Sequence, residues 1–275
     1  VLLLPPSAAL APYVVGFRMG GFSAPLGDGG GATELVSMPS ASLELVFGTS
    51  SCMTDHPRSG HEVPKPAEFV FGPMQTERGA TLRIGARESV RLVSVLFRPG
   101  AGALLLGEAL DGLSDRVFPA GDVLPRALRG WAGGALLDAS PEEAKRRLEA
   151  ELLSHVSRLS ASRRTLDPRI ARAHAFLRSG RGTVADVARA AGLSERQLER
   201  AFRVWFGMTP KRVAQLARFD RAASALVRGP GNLARLAQEL GYADHAHFTR
   251  EFRAIAGVPP SRYAEKRARA IYLPA

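Results

Sequence analysis

The apolar residues of this 275-residue chain follow two patterns that change places near residue 160. In the first part they come as short runs rich in β-branched and aromatic residues: Glu34–Val36, Leu43–Phe47, Glu68–Phe71, Thr81–Ile84 and Val90–Phe97. Gly- and Pro-rich turns separate these runs, as in a sandwich or barrel. Residues 1–33, rich in Gly and Pro, precede them and close on Gly27-Asp28-Gly29-Gly30-Gly31. Ala101–Leu110 predicts a short buried helix. Ser140-Pro141-Glu142-Glu143 is an S-x-x-E capping box with proline at the first helical position, and predicts a helix to about Leu159. Leu148, Leu152, Val156 and Leu159 share one stripe of it, which predicts docking on the β-rich part or a dimer contact. Ser157–Thr165, rich in Ser and Arg, lacks an apolar period and reads as a linker.

Beyond the linker the period is helical throughout. Asp167-Pro168 opens a helix closed by Gly180, and Thr183 with Asp186 opens one closed by Gly192. Ser194 with Gln197 opens the next, closed by Gly207. Thr209-Pro210 opens a long helix closed by Gly229-Pro230, Asn232 one closed by Gly241, and Asp244 one closed by Gly257. Pro260 begins the last of seven. Caps, first-turn prolines and terminal glycines agree at nearly every boundary.

Charge follows the same division. Of 37 basic and 26 acidic residues, 22 and nine lie from Arg163 onward, a net of +13 there against −2 before it. A near-neutral front joined to a basic back predicts a control domain, 1–160, and a polyanion-binding domain, 161–275. The basic residues are almost all Arg, whose planar fork suits phosphate and base edges. The single Cys52 excludes an intramolecular disulfide. The opening Val1–Phe17 has no basic leader, and no run of 18 apolar residues occurs, so a soluble cytoplasmic protein without a membrane partner is expected.

Within the basic half, a pattern repeats after about fifty residues. The first copy reads Ala188-x3-Gly192-Leu193-Ser194, Leu198-x-Arg200-x-Phe202-Arg203, Gly207-x2-Pro210. The second reads Ala237-x3-Gly241-Tyr242-Ala243-Asp244, Phe248-x-Arg250-x-Phe252-Arg253, Gly257-x2-Pro260, with the register slipped by one residue in the turn. Each copy is a short helix, a glycine turn and a second helix: the helix-turn-helix plan, about 183–207 and 232–257. In the first unit Leu198, Ala201, Phe202 and Trp205 form the predicted core stripe, and Arg196, Glu199, Arg200 and Arg203 the opposite one. In the second, Phe248, Phe252 and Ile255 face inward, and Ala246, Thr249, Arg250 and Arg253 outward.

These residues, with Gly257-Val258-Pro259-Pro260-Ser261-Arg262-Tyr263, resemble the DNA-binding domain of the AraC/XylS family of bacterial regulators over Asp167 to Tyr272. The resemblance implies a sequence-specific transcription regulator whose two second helices enter successive major grooves. It places base readers at Arg196, Glu199 and Arg200 in unit one, and at His245, Ala246, Thr249 and Arg250 in unit two. Arg can bond guanine O6 and N7 together, Glu can accept from cytosine N4, and Ala or Thr can touch a thymine methyl. Arg203 and Arg253 are assigned to phosphate or to support of the fold. Glu199 has an alternative, pairing along the helix with Arg196 or Arg203. Unit two surrounds Arg250 with small groups, so looser base reading is expected there.

Leu43-Glu44-Leu45-Val46-Phe47, Phe69-Val70-Phe71-Gly72-Pro73 and Phe97-Arg98-Pro99-Gly100-Ala101-Gly102 resemble an uncharacterised regulatory domain found ahead of such DNA-binding units. The fold class expected is multidomain α+β: a mostly β, barrel-like (cupin-like) domain with helices, then an all-α domain of seven helices. Double-stranded DNA is the expected partner. The resemblance also leaves room for RNA polymerase, a small-molecule effector and a homodimer. Enzymatic chemistry is not expected: no G-x-S-x-G or H-E-x-x-H occurs, and Gly27-x-Gly29-x-x-Ala32 has neither the strand before it nor the helix after it of a dinucleotide loop. Cys52, His56 and His61 match no standard zinc spacing, so no metal and no cofactor are expected. The competing reading is a nonspecific architectural DNA binder. It predicts similar affinity for all sequences, whereas a regulator prefers its site by roughly 10³-fold or more.

Overall fold

The computed structural model describes residues 2–23, 33–37, 39–49, 53–55, 62–64, 67–76, 81–84, 89–129, 133–159, 165–180, 182–229, 231–269 and 271–273. The Gly27–Gly31 run, the Cys52, His56 and His61 group and most of the expected linker lie outside these residues. Strands, numbered in chain order, are β1 Leu2–Leu4, β2 Val14–Ser23, β3 Thr33–Ser37, β4 Glu44–Gly48, β5 Met53–Asp55, β6 Glu62–Pro64, β7 Glu68–Phe71, β8 Thr81–Ile84, β9 Ser89–Phe97, β10 Val117–Pro119 and β11 Ile271–Leu273. Helices are α1 Ala101–Leu106, α2 Ala120–Val123, α3 Gly133–Leu137, α4 Pro141–Arg158, α5 Pro168–Arg178, α6 Val184–Ala190, α7 Glu195–Phe206, α8 Pro210–Arg228, α9 Leu233–Glu239, α10 His245–Ala256 and α11 Tyr263–Arg269.

The architecture is α+β, with β-sheet first and a helical region after it. Six strands pair in the order β1-β2-β9-β4-β7-β10, all antiparallel, and five in the order β11-β3-β8-β5-β6. Among the described residues these ladders stay separate, so the expected barrel-like closure is not reached. The sheets keep edges at β1, β10, β11 and β6. All five predicted strands form, but β2 and β9 make the longest ladder, and β2 lies in the Gly- and Pro-rich stretch where no strand was predicted. A Cβ at Gly16 would come within 2.7 Å of the Leu3 side chain and 3.1 Å of the Leu4 carbonyl oxygen, so glycine eases the approach of β1 to β2.

Alternation along the strands sends Phe17, Met19, Leu45, Phe47, Val93, Val95 and Phe97 to one face, where α1 and α4 cover them with Leu104, Leu105, Leu148 and Leu152. The α4 stripe is therefore spent inside its own chain. His155 on the same helix is buried, with its Nε2 2.9 Å from the Leu105 carbonyl oxygen. On the opposite face a buried polar cluster ties β2, β4 and β9. Arg18 donates to Glu44 at 2.7 Å, and Ser94 donates to the same oxygen at 2.6 Å.

A second core lies among the C-terminal helices, built on Ile170, Leu177, Leu198, Phe202, Phe206, Phe219, Phe248, Phe252 and Tyr263. Two side chains join the cores: Trp205 packs against both, and Ala41 from the β-rich part belongs to the helical cluster. The seven predicted helices form, with one change. Pro260–Arg262 is a 3-10 turn, and the last α-helix begins at Tyr263. β11 then pairs in parallel with β3, so the chain's end rejoins the β-rich region.

Candidate nucleic-acid interface

Both helix-turn-helix units are built by local chemistry legible in their sequence. Thr183 and Asp186 cap α6 reciprocally, as Ser194 and Gln197 cap α7. Asn232 caps α9 and Asp244 caps α10. The repeated Ala-x3-Gly is a Schellman turn in both copies. The amide of Leu193 donates to the Ala188 carbonyl at 2.9 Å, and that of Tyr242 to the Ala237 carbonyl at 3.0 Å. Gly192 and Gly241 supply the left-handed residue, at φ +67° and +76°.

The second helices are strongly amphipathic. α7 buries Leu198, Phe202 and Phe206, and α10 buries Phe248, Phe252, Ile255 and Ala256. Facing away from these cores, Arg196, Glu199, Arg200 and Arg203 are exposed on α7, as are His245, Ala246, Arg250 and Arg253 on α10. The structure thus groups each unit's candidate residues, Thr249 excepted, on one solvent-facing side, in two separate sets joined by α8. Among the described residues no side-chain hydrogen bond or ion pair engages the guanidinium of Arg196, Arg200 or Arg253. Glu199 accepts from Arg203 at 2.9 Å, the along-helix pairing that competes with a base contact. Thr249 is half-buried and its hydroxyl oxygen is shut from solvent, so it offers less than the outward position expected of it. Asp244 is held below the usual carboxylate range, first by the amide of His247 and further by the charge of Arg250.

Sequence reasoning missed a buried carboxylate at the root of unit two. Glu251 sits with its side chain 8% exposed and collects Tyr242 Oη at 2.8 Å, Gln215 Nε2 at 3.0 Å and Arg218 Nη2 at 3.0 Å. Burial, then the hydrogen bond to Glu251, pushes the Tyr242 hydroxyl well above its ordinary pKa, so it stays a donor. The repeat itself carried a signal. Unit one has Ala201 where unit two has Glu251, and Leu193 where unit two has Tyr242.

The other missed feature is a contact between the β-rich region and unit one. The amide of Leu110 donates to the Val204 carbonyl, and the hydroxyl of Ser114 donates to the Gly207 carbonyl. The loop after α1 therefore satisfies carbonyls that the end of α7 leaves open. At the start of α8, the Arg212 guanidinium donates to the Gln75 carbonyl from the same side.

Against known proteins, residues 187–266 match the family model described as a helix-turn-helix domain. Residues 187–266 are therefore a helix-turn-helix domain. The chain is 32% identical over 138 residues to YidL, an uncharacterized HTH-type transcriptional regulator of Escherichia coli, a match covering 46% of each protein. The chain thus spans about half the length of that curated relative. Among solved structures, the C-terminal region is similar to the C-terminal domain of AraT, a response regulator from Geobacillus stearothermophilus, at 24% identity and TM-score 0.35. That alignment covers 37% of this chain and 88% of that one. The whole chain is similar to apo ToxT from Vibrio cholerae at 12% identity and TM-score 0.48, over 95% of this chain and 98% of that one. Among the described residues no helix is long and apolar enough to cross a membrane.

Proposed function

We propose that this protein is a sequence-specific DNA-binding transcription regulator whose two AraC-type units enter successive major grooves. One observation carries the reading: two capped helix-turn-helix units, each with exposed arginines opposite a fully apolar core stripe, joined by one unbroken helix. Arg196 and Arg200 read bases in unit one and Arg250 in unit two, with His245, Ala246 and Thr249 beside it. Arg203 and Arg253 meet phosphate, and Glu199 either reads cytosine or holds Arg203 in place. α8 has 19 residues and is about 28 Å long, short of the roughly 34 Å groove repeat, so binding either bends the DNA toward the protein or leaves one unit poorly seated.

The division at residue 160 makes the β-rich part the control element, open to a small-molecule effector, with RNA polymerase and a second copy as further partners. The protein acts in the cytoplasm by binding and not by catalysis. The test is selection of genomic fragments by the purified chain at fixed salt, followed by sequencing. Recovery of a two-part motif with half-sites about one helical turn apart is the expected result. Recovery without sequence preference overturns the reading in favour of a nonspecific architectural binder.

A further inference from the structure

α8 carries a polar row, Arg212, Gln215 and Arg218, spaced so that the side chains follow one another along one side of the helix. The row makes an unbroken series of contacts. At its near end Arg212 donates to the Gln75 carbonyl, while the Gln75 amide donates to Asp115 at 2.7 Å. Arg212 Nη1 also donates to Gln215 Oε1 at 3.2 Å. Gln215 Nε2 passes the contact to Glu251 at 3.0 Å, and Glu251 receives the Tyr242 hydroxyl from the turn of unit two. Arg218 clamps the same carboxylate through two nitrogens and lies 5.1 Å from the Tyr242 ring centroid.

The chemistry makes this series more than packing. Burial works against the charged form of Arg212, and the two carboxylates that offset it are Asp115 on the β-rich side and Glu251 in unit two. Arg212 reaches both sides through hydrogen bonds, to the Gln75 carbonyl at one end and to Gln215 at the other, so a displacement of its guanidinium moves Gln215. Glu251 holds Gln215, Arg218 and Tyr242 together, so a displaced Gln215 disturbs the bonds that fix the Tyr242 turn. Unit one has no equivalent, since Ala201 and Leu193 replace Glu251 and Tyr242. It is held to the β-rich region directly, at Val204 and Gly207.

We propose that Arg212, Gln215 and Glu251 are positioning residues that form a polar relay, through which the β-rich region sets the turn and second helix of unit two. Combined with the proposed function, the relay makes the seating of the second half-site a property of the β-rich region. The relay itself is defined without DNA, and so is its test.

Amide hydrogen exchange is measured on the full chain as wild type, Asp115→Asn, Glu251→Gln and the double variant. Asn keeps an acceptor for the Gln75 amide and suits the left-handed backbone at residue 115, φ +55°, while the charge is removed. The relay predicts that Asp115→Asn speeds exchange of the Gly241–Asp244 turn and α10 about fivefold, with α5 and α6 unchanged. It also predicts that the double variant exchanges no faster than Glu251→Gln alone. Gln215→Met, which breaks the middle contact without touching a charge, should reproduce the Asp115→Asn pattern. Unchanged exchange in unit two on Asp115→Asn, effects that multiply in the double variant, or acceleration spread equally over both units each overturn the relay. A wild-type chain that selects no DNA motif sinks the proposed function and leaves these exchange results standing.

Discussion

The amide of Leu110 lies 2.9 Å from the Val204 carbonyl, so a loop of the β-rich region supplies the donor that the end of α7 lacks. The helix proposed to read DNA in unit one is thereby finished by a residue 94 positions away in sequence. Ser114 completes the contact on Gly207, and Trp205 between them packs on both cores.

Gly207 gives the contact a direct test. It has φ +67°, and a Cβ there would stand 2.9 Å from both the Leu110 carbonyl oxygen and Pro73 Cγ. Gly192 and Gly241 are equally left-handed, with nothing within 4 Å of a Cβ. Alanine at either of those two should cost about 1–2 kcal/mol of stability from backbone strain alone. Gly207→Ala should add about 1–3 kcal/mol for overpacking. Urea denaturation of the three variants decides. Equal losses at all three would mean that the loop yields freely and holds nothing.

The helix α4 offers a second test, because the pattern allowed two uses for its apolar stripe and the structure takes one. Leu152 is fully buried in the N-terminal core. Leu152→Ala should cost about 2–5 kcal/mol and leave the sedimentation coefficient of the folded protein unchanged. A variant of normal stability with an altered oligomeric state would return the stripe to an intermolecular role.

How much the sequence showed depended on the range of the interaction. Helix ends were legible because their causes are local: Thr183 needs only Asp186, and Ser194 only Gln197. β2 was not, because Gly16, Gly20 and Gly21 read as loop residues until β1 and β9 stand beside them. β11 gives no sign of β3 for the same reason. In the site, the exposed arginine stripes followed from periodicity. Glu251 was concealed by it: one position along from Arg250, its role appears only when α8 brings up Gln215 and Arg218. The burial of the Thr249 hydroxyl was equally out of reach, since spacing fixes the side of a helix but not a rotamer.

His174 predicts a pH dependence. Its ring stacks on Phe206 with centroids 4.4 Å apart, and burial, aided by the charge of Arg178, lowers its pKa from 6.5 to about 4. Between those values the unfolded chain binds the proton and the folded one does not. The contribution is therefore present in full above pH 6.5 and lost as pH falls toward 4, by at most about 3 kcal/mol. His174→Phe, which keeps the stack and cannot titrate, should close or reverse its stability gap to wild type as the pH is lowered from 7 to 4.5. A gap that stays constant over that range would show that His174 titrates freely in the folded protein.

The last prediction concerns how the two units divide the reading of DNA. Unit one presents Arg196 and Arg200 on an open surface, with Glu199 turned to Arg203. Unit two presents Arg250 beside Ala246 and a Thr249 whose hydroxyl is buried, which leaves one long donor to discriminate bases. Arg200→Ala should cost about 1–3 kcal/mol on the selected site and relax base preference at the positions it reads. Arg250→Ala should weaken binding with a smaller loss of discrimination, since the small Ala246 and the buried Thr249 hydroxyl give that guanidinium little support at the base edges. Both variants and wild type are compared on a randomised site library at one salt concentration, because phosphate contacts make affinity strongly salt-dependent. Greater loss of preference from Arg250→Ala would make unit two the stricter reader. Unchanged preference in both variants would move these arginines from bases to phosphates, leaving affinity and its salt slope as their only effect.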